Sequence, residues 1–166
     1  MALTLHHLSE LDLRELLTSP AAFEQRRGLH IEEGGLPPAF VFERALDNLR
    51  AAPAWASLLS TRLYLLDGAR VVGAGGVKAP PSAACEAEIG YGVAPQWQRR
   101  GLGAAGAQAL VDDSFAHGVQ TVVATTLPDN VASSALLQRI GFVRCGTVEH
   151  VEDGLLYRWV RERPAA

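Results

Sequence analysis

Residues 85–103 constrain the fold more than any other stretch, because a clear strand pattern leads through a short loop into a glycine-rich helix start. The odd-numbered residues from Cys85 to Val93 are apolar or aromatic, and the even-numbered ones are glutamates and then glycines. This alternation predicts a strand with one buried face. A helix opening at Gly101 must then pack back on the sheet, which is typical of an α/β unit.

Helix and strand patterns interleave through the rest of the chain. Ser9 to Asp12 has capping-box spacing and predicts a helix start, with Leu8 and Leu13 spaced as a hydrophobic staple. Asp67-Gly68 and Asp153-Gly154 each lie between apolar runs and predict hairpins. We therefore expect an α/β (α+β) fold in one domain, with a mixed central sheet of about six to seven strands and about four flanking helices.

Four further segments complete the predicted order. Residues 28–38 hold three glycines and two prolines and predict a loop, and the spacing of Phe42, Ala45, Leu46 and Leu49 predicts a helix after it. Residues 119–126 predict a strand. A last helix is expected over 130–140, ended by Gly141 in a left-handed conformation, with its apolar stripe formed by Ala132, Ala135, Leu136 and Ile140.

Charge and composition exclude several classes of protein. Fifteen Lys and Arg against eighteen Asp and Glu give a net charge of −3, so no positive field recruits nucleic acid or an anionic membrane. No apolar run reaches the length of a membrane span, and the amino terminus lacks the features of a signal peptide. The five histidines lack metal-ligand spacing. Two cysteines form no disulfide framework, and we expect a cytoplasmic protein without a metal.

The loop before Gly101 has the chemistry of an anion site. The first N–H groups of a helix lack internal partners, and the helix dipole adds positive charge there. Glycines at 101 and 103 allow close approach, and Arg99 and Arg100 add net charge. The arrangement suits a pyrophosphate. The alternative is that the glycines serve helix–sheet packing and the arginines are simply solvated.

Gly101, Gly103 and Gly106 also match the spacing of the dinucleotide-binding fingerprint. That motif requires its glycines directly after a buried strand and an acid about twenty residues further on. Here a seven-residue loop separates Val93 from Gly101, and residues 119–128 contain no acid. We therefore interpret the match as coincidental.

The polar face of strand 85–93 offers a path for a long ligand. Glycine inside a strand often marks the close approach of a ligand, and Gly90 and Gly92 share a face with Glu86 and Glu88. A ligand with a phosphate end and a thin arm fits this face, with its tip near Glu88, among small and largely apolar neighbours. Glu86 is interpreted as an ordinary solvated acid.

Two motifs at the proper separation resemble the GNAT N-acetyltransferase superfamily. Gln98-x-x-Gly101-x-Gly103 is similar to its acyl-CoA motif, and the run EIGYGVAPQWQRRGLG resembles the branch that includes ribosomal-protein N-terminal acetyltransferases. The second signature is Asn130-Val-Ala-Ser133, followed by LQRIGF at 137–142. The resemblance covers residues 61–162 well and residues 1–60 only in element order. It implies a single GNAT-like domain whose 61–162 part is a CoA-binding core and whose 1–60 part is the variable acceptor side.

The resemblance implies a role for each matching residue. Glu88 occupies the position of the general base, and Ser133 that of the group serving the leaving thiolate. The main chain near Val93 would pair with the pantetheine arm, and Asn130 would contact the arm or the thioester. Asp129 or Asn130 also suits the N-cap of a helix, and Ser133 suits its first turn. The CoA pyrophosphate would be held by the backbone of Gln98, Arg99, Arg100, Gly101, Leu102, Gly103 and Ala104.

One departure from the family concerns the general acid. Many relatives carry a tyrosine four residues before the Gly-Phe pair, where this chain has Leu137. Ser133 or water must then serve the thiolate, which leaves readily because a thiol pKa is near ~8.5.

The predicted function is acetyl transfer from acetyl-CoA to a primary amine, without a covalent enzyme intermediate. The alternative is a non-catalytic module that binds or senses acyl-CoA. The acceptor is left open among a protein amino terminus, a lysine, a polyamine and an aminoglycoside, and acids at 149, 152 and 153 suit either a cationic acceptor or a solvated turn. Oligomeric state is also open, with a homodimer as the commonest assembly.

Overall fold

The computed structural model describes residues 1–166 as one mixed sheet with helices on both faces. The strands are β1 (Leu3–His7), β2 (His30–Ile31), β3 (Arg62–Leu66), β4 (Arg70–Val77), β5 (Glu86–Val93), β6 (Thr121–Thr126), β7 (Val143–His150) and β8 (Gly154–Glu162). The helices are α1 (Glu10–Thr18), α2 (Pro20–Arg27), α3 (Ala39–Ala51), α4 (Ala56–Leu59), α5 (Leu102–Ala116) and α6 (Val131–Arg139). The order across the sheet is β1-β3-β4-β5-β6-β8-β7, and β2 pairs with the start of β4.

The fold class is confirmed, with more elements than the sequence predicts. The additional elements are short: β2 has two residues within the predicted loop, and α4 has four. Helix α2 begins at Pro20, and the side chain of Ser19 caps it. Segments of this length carry too few residues to show a hydrophobic period. No helix of the chain is long and apolar enough to cross a membrane.

The predicted local signals at the amino terminus and the hairpins are confirmed. Ser9 and Asp12 form both bonds of a capping box at the start of α1. Leu8 and Leu13 are buried in the same apolar cluster. Asp67-Gly68 turns between β3 and β4 with positive φ at both residues, and β7 and β8 pair around the turn before Gly154.

The predicted apolar stripe of α6 is wrong in part. Ala132 and Ala135 lie toward solvent, while Leu137 is fully buried in the main cluster, and Leu136 and Ile140 pack at its edge. The predicted stripe is centred on small residues. The packing is instead centred on Leu137, because a buried leucine contributes more apolar area than an alanine.

Strands β5 and β6 separate along their length, and this splaying positions the site. Parallel pairing with β6 runs only from Glu86 to Glu88. Antiparallel pairing of β5 with β4 continues from Ile89 to Val93. The β6-facing edge of β5 therefore has no strand partner beyond Glu88, and the gap opens toward the start of α5.

Helix α5 lies close to the sheet because of one glycine. A Cβ at Gly106 would lie 2.3 Å from the buried ring of Tyr64, so no larger residue fits without displacing the core. The packing interpretation was made for Gly101 and Gly103, and the structure shows a packing role of this kind at a third glycine, Gly106. The two glycines at the start of the helix have different surroundings.

Candidate active site

The loop between β5 and α5 presents unpaired backbone donors. A 3₁₀ turn at Pro95–Trp97 leads to Gly101, the N-cap of α5, whose φ is 78°. No side chain caps this end, and the N–H groups of residues 102–104 have no acceptor in the structure. Donors at an uncapped helix start, together with the dipole of a fifteen-residue helix, favour an anion.

Gly101 is exposed at the helix start, whereas Gly103 packs against α6. A Cβ at Gly101 would meet only the guanidinium of Arg139, at 3.9 Å, but the positive φ disfavours any side chain. A Cβ at Gly103 would lie 3.1 Å from Leu136 of α6. Gly101 is therefore required by its backbone conformation, and Gly103 by the close approach of α6.

Three arginines surround this helix start, of which the sequence indicated two. Arg99 is exposed, with a φ of 60°. The guanidinium of Arg100 lies 4.6 Å from the centre of the Trp97 ring, so its position is fixed by stacking. Arg139, in the last turn of α6, reaches the loop from an element that follows it by almost forty residues. No local pattern links Arg139 to Gly101, and sequence reasoning missed it.

Gln98 ties the loop to the end of β5. Its side-chain amide donates to the carbonyl oxygen of Val93 at 3.0 Å. A carbonyl oxygen has two lone pairs, so Val93 keeps one for a ligand. The side chain of Gln98 thus supports the loop, and its backbone is the part nearest the anion donors.

Glu88 lies in a charged environment. Its Oε1 accepts from Lys78 Nζ at 2.5 Å and from Thr125 Oγ1 at 3.1 Å, and about a third of the side chain is exposed. The expectation of largely apolar neighbours is wrong, because Lys78, directly after β4, and Thr125 of β6 flank Glu88. Lys78 and Thr125 cannot be read as its partners from the spacing along β5.

Glu86 belongs to a separate ion pair. Both of its carboxylate oxygens accept from Arg158 of β8, at 3.0 and 3.2 Å. The side chain is 41% exposed, so the interpretation as a surface acid holds, with the addition of one cation partner.

The start of α6 brings Asn130 and Ser133 together with Tyr91. The Asn130 side chain caps α6 by accepting from the Ser133 N–H at 3.1 Å, so its predicted capping role is confirmed. The Ser133 hydroxyl lies 2.7 Å from the Tyr91 hydroxyl on β5 and has no other hydrogen-bond partner. Burial raises the pKa of the Tyr91 phenol, and the bond to Ser133 offsets part of this effect.

Leu137 is fully buried and faces the core. The position at which many relatives carry a tyrosine as general acid therefore holds only an apolar side chain here. The tyrosine hydroxyl at the start of α6 belongs instead to Tyr91 of β5. Sequence reasoning assigned Tyr91 only to the buried strand face.

Two neighbouring clefts meet at the middle of β5. The large cleft, about 820 Å³, lies between residues 34–38, α3, the glycines of β4 and β5, and the turn at 150–153. The small cleft, about 320 Å³, is lined by Tyr91, Asn130 and Ser133 among others. Both are bordered by Lys78, Gly90, Tyr91 and Asp153.

The predicted site residues fall into three groups around these clefts. Asn130 and Ser133 line the small cleft and Val93 the large one. Residues 98–104 line neither, since they lie beyond the end of β5. Glu88 also lines neither cleft; it is connected to both through Lys78 and to the small one through Thr125 as well. Residues 34–48 of the 1–60 part and the turn at 150–153 contribute walls to the large cleft, and the acceptor-side role of the 1–60 part stays a prediction.

Comparisons with known proteins give one family. The model described as "Acetyltransferase (GNAT) domain" matches residues 2–143. No match was found among curated protein sequences.

Three solved structures illustrate how widely the fold is shared. The ribosomal-protein-alanine N-acetyltransferase of Brucella melitensis is 21% identical, with a TM-score of 0.66 over 96% of this chain and 99% of that one. A spermidine N-acetyltransferase chimera from Vibrio cholerae and hSSAT is 15% identical, with a TM-score of 0.67 over 98% and 96%. An aminoglycoside acetyltransferase in complex with coenzyme A is 19% identical, with a TM-score of 0.63 over 98% and 95%. At these identities the likeness concerns the fold.

Proposed function

Because the chain belongs to the GNAT acetyltransferase family, whose model covers residues 2–143, we propose that it transfers acetyl groups from acetyl-CoA to a primary amine. The observation that carries the proposal is the uncapped start of α5 at the open end of β5. The unpaired backbone donors of the helix start follow directly after the strand whose edge is open. A cosubstrate with a diphosphate and a long amide-containing arm fits both.

The loop at 98–104 binds the diphosphate in this proposal. Free N–H groups at 102–104 donate to its oxygens, and the open surroundings of Gly101 let the phosphates reach the backbone. Arg99 and Arg139 supply net charge from two sides. Charge-assisted bonds of this kind are stronger than neutral ones.

The open edge of β5 binds the arm. Beyond Glu88 the strand has no partner on the β6 side, and backbone groups at a free edge pair with an extended ligand as another strand would. The carbonyl oxygen of Val93 offers its remaining lone pair to the arm, and Asn130 lines the small cleft. Acetyl-CoA supplies, when bound, a thioester acetyl group and a thiolate leaving group.

Proton transfer is assigned to residues beside the meeting point of the clefts. An alkylamine is mostly protonated at neutral pH, so it must lose a proton before attack. Glu88 is the acid of β5 whose partners Lys78 and Thr125 line the clefts, and it accepts this proton through water. Ser133 lines the small cleft and donates a hydrogen bond toward the leaving sulfur.

The acceptor amine is assigned to the large cleft. Its walls come from residues 34–38, α3 and the turn at 150–153, outside the motif-bearing segments. The volume of about 820 Å³ is within the range of small-molecule sites and is open enough for a peptide end. Both cysteines are exposed and unpaired, which favours the cytoplasmic location that we propose.

The direct test combines binding with turnover. We expect calorimetry to show that acetyl-CoA binds with a micromolar or lower dissociation constant, and a thiol-release assay to show turnover with at least one of a peptide amino terminus, a lysine peptide, spermidine or an aminoglycoside. Binding without acceptor-dependent turnover would instead support the acyl-CoA-binding module, which the burial of Leu137 favours. Absence of binding would overturn both.

Removing one loop charge should weaken this binding. Arg99→Ala is expected to raise the dissociation constant for acetyl-CoA roughly tenfold at low salt, and less at high salt, because a charge-assisted contact to phosphate is lost. Arg163→Ala is the matched control, since it removes the same charge at the opposite end of α5, where Arg163 bonds the Phe115 carbonyl. Equal effects of the two variants would show that the loop has no special part in binding.

A further inference from the structure

The Tyr91 and Ser133 hydroxyls form an isolated pair at the wall of the small cleft. Their oxygens are 2.7 Å apart, and neither has a second hydrogen-bond partner in the protein. Tyr91 comes from β5 and Ser133 from the first turn of α6. The pair therefore bridges β5 and α6 beside the open edge of β5.

The proton count of this pair is informative. Two hydroxyls carry two protons, and one of these is used between them. If the phenol donates to Ser133 Oγ, the Ser133 proton is free to point into the cleft. Burial keeps Tyr91 in its neutral phenol form by raising its pKa, and a phenol is a better donor than an aliphatic hydroxyl. This direction of the bond is therefore favoured.

We propose that Tyr91 is a positioning residue, whose hydroxyl orients Ser133 so that the free Ser133 proton is directed at the sulfur of the leaving thiol. The proposal rests on the proposed function. In this chain a serine held by a tyrosine of β5 serves the thiolate. In many relatives a tyrosine of the helix, at the position of Leu137, has that part.

The electron and proton balance requires no further reactant. As the carbon–nitrogen bond forms, the carbon–sulfur bond breaks and its electron pair remains on sulfur, where the Ser133 hydrogen bond stabilises it. The proton lost by the amine passes to Glu88 and then to solvent. The sulfur is protonated from solvent after release, so neither Tyr91 nor Ser133 changes its protonation state.

Two alternatives for the pair are less consistent with its surroundings. A purely structural bond would be expected deep in the core, yet both residues line the small cleft. A local serine bond to the α6 backbone would not involve β5, yet the Ser133 hydroxyl contacts only Tyr91.

The test measures the ionisation of the thiol of coenzyme A in complex with the protein, from the ultraviolet absorbance of the thiolate. In the wild type we expect the bound thiol to ionise about one pH unit below the free thiol, since a hydrogen bond to sulfur favours the anion. Tyr91→Phe and Ser133→Ala should each remove most of this shift, and Ser133→Thr, which keeps the hydroxyl, should restore it.

Other charged groups near the pair are the same in every variant. Lys78 and Asp153 border the small cleft, Glu88 is bonded to Lys78, and the Tyr64 phenol lies behind Tyr91. The difference between variants and wild type therefore reports on the Tyr91 and Ser133 hydroxyls. Tyr157→Phe is the matched control, because it removes a tyrosine hydroxyl of β8 that has no hydrogen-bond partner.

Kinetics provide the second readout. Tyr91→Phe and Ser133→Ala should each lower kcat roughly tenfold with an unchanged dissociation constant for acetyl-CoA. The double variant that combines them should also lose roughly tenfold in kcat rather than a hundredfold, because the two residues act as a unit. Binding with identical thiol ionisation in all variants would overturn the roles of both Tyr91 and Ser133 and leave the proposed acetyl transfer in place. Failure of coenzyme A to bind the wild type would overturn the proposed function as well.

Discussion

Replacing Glu88 by glutamine is expected to lower kcat by about 10²- to 10⁴-fold, the range typical of a lost general base, while acetyl-CoA binds as before. The substituted amide keeps an oxygen that accepts from Lys78 and Thr125, so the local hydrogen bonds are retained. Only the proton-accepting charge is removed. The measurement is steady-state kinetics with the best amine from the acceptor panel, together with calorimetry for acetyl-CoA.

Glu86→Gln is the matched control for this prediction. Glu86 lies two residues away on the same face of β5, and its partner Arg158 lines neither cleft. We expect its kcat to equal that of the wild type. If Glu88→Gln also retains full kcat, the amine loses its proton to solvent or to another group, and Glu88 serves only to hold Lys78 at the border of the clefts.

Asp12→Asn is expected to destabilise the fold by about 3–5 kcal/mol, the usual cost of breaking a buried ionic network at one partner. The Asp12 carboxylate is fully buried and accepts from Arg26, from both Nε and Nη2 of Arg27, and from the Ser9 N–H. It joins α1 to α2 and closes the capping box. Loss of the charge leaves two guanidinium groups without their shared anion. Urea unfolding at neutral pH measures the change.

The pH dependence of stability gives an independent signature. Burial alone would raise the pKa of Asp12, but hydrogen bonds from Arg26, Ser9 and Arg27 outweigh it and lower the pKa from 3.8 to about 2. A lowered pKa in the folded state means that the stabilisation is present above pH 3.8 and is lost as the pH falls toward 2. For Asp12 this part is about 2–3 kcal/mol. Asp12→Asn should lack that part of the decline.

The control for stability is Glu10→Gln. Glu10 is exposed in the first turn of the same helix and pairs only with surface arginines, so its removal should leave the unfolding midpoint unchanged. A wild-type midpoint that stays constant from pH 5 to 2 would contradict the assignment of Asp12 as the acid-sensitive group.

Much of the fold was predictable because its signals are local. The capping box at Ser9, the Asp67-Gly68 turn and the left-handed Gly141 each depend on backbone chemistry within a few residues, and all three occur as predicted. The loop and helix start at residues 98–104 also depend on local backbone chemistry. Helix starts and glycine conformations are set by neighbours in the chain, so the arrangement at 98–104 could be anticipated.

The environment of the catalytic candidates could not be predicted in this way. Lys78 beside Glu88, Tyr91 beside Ser133 and Arg139 beside Gly101 each join residues from different elements. The α6 stripe failed for a related reason, since the face that packs is chosen by the volume available in the core rather than by the period alone.

The sequence by itself determined the alternation of strands and helices, the site of the helix start that suits a diphosphate, and the family resemblance. Only the tertiary structure decided which cation lies at Glu88, which hydroxyl lies at Ser133, and that β5 and β6 separate beyond Glu88. The physical reason is range. Backbone conformation responds to adjacent residues, whereas hydrogen bonds and ion pairs across a sheet depend on strand order and register, which no short stretch of sequence encodes.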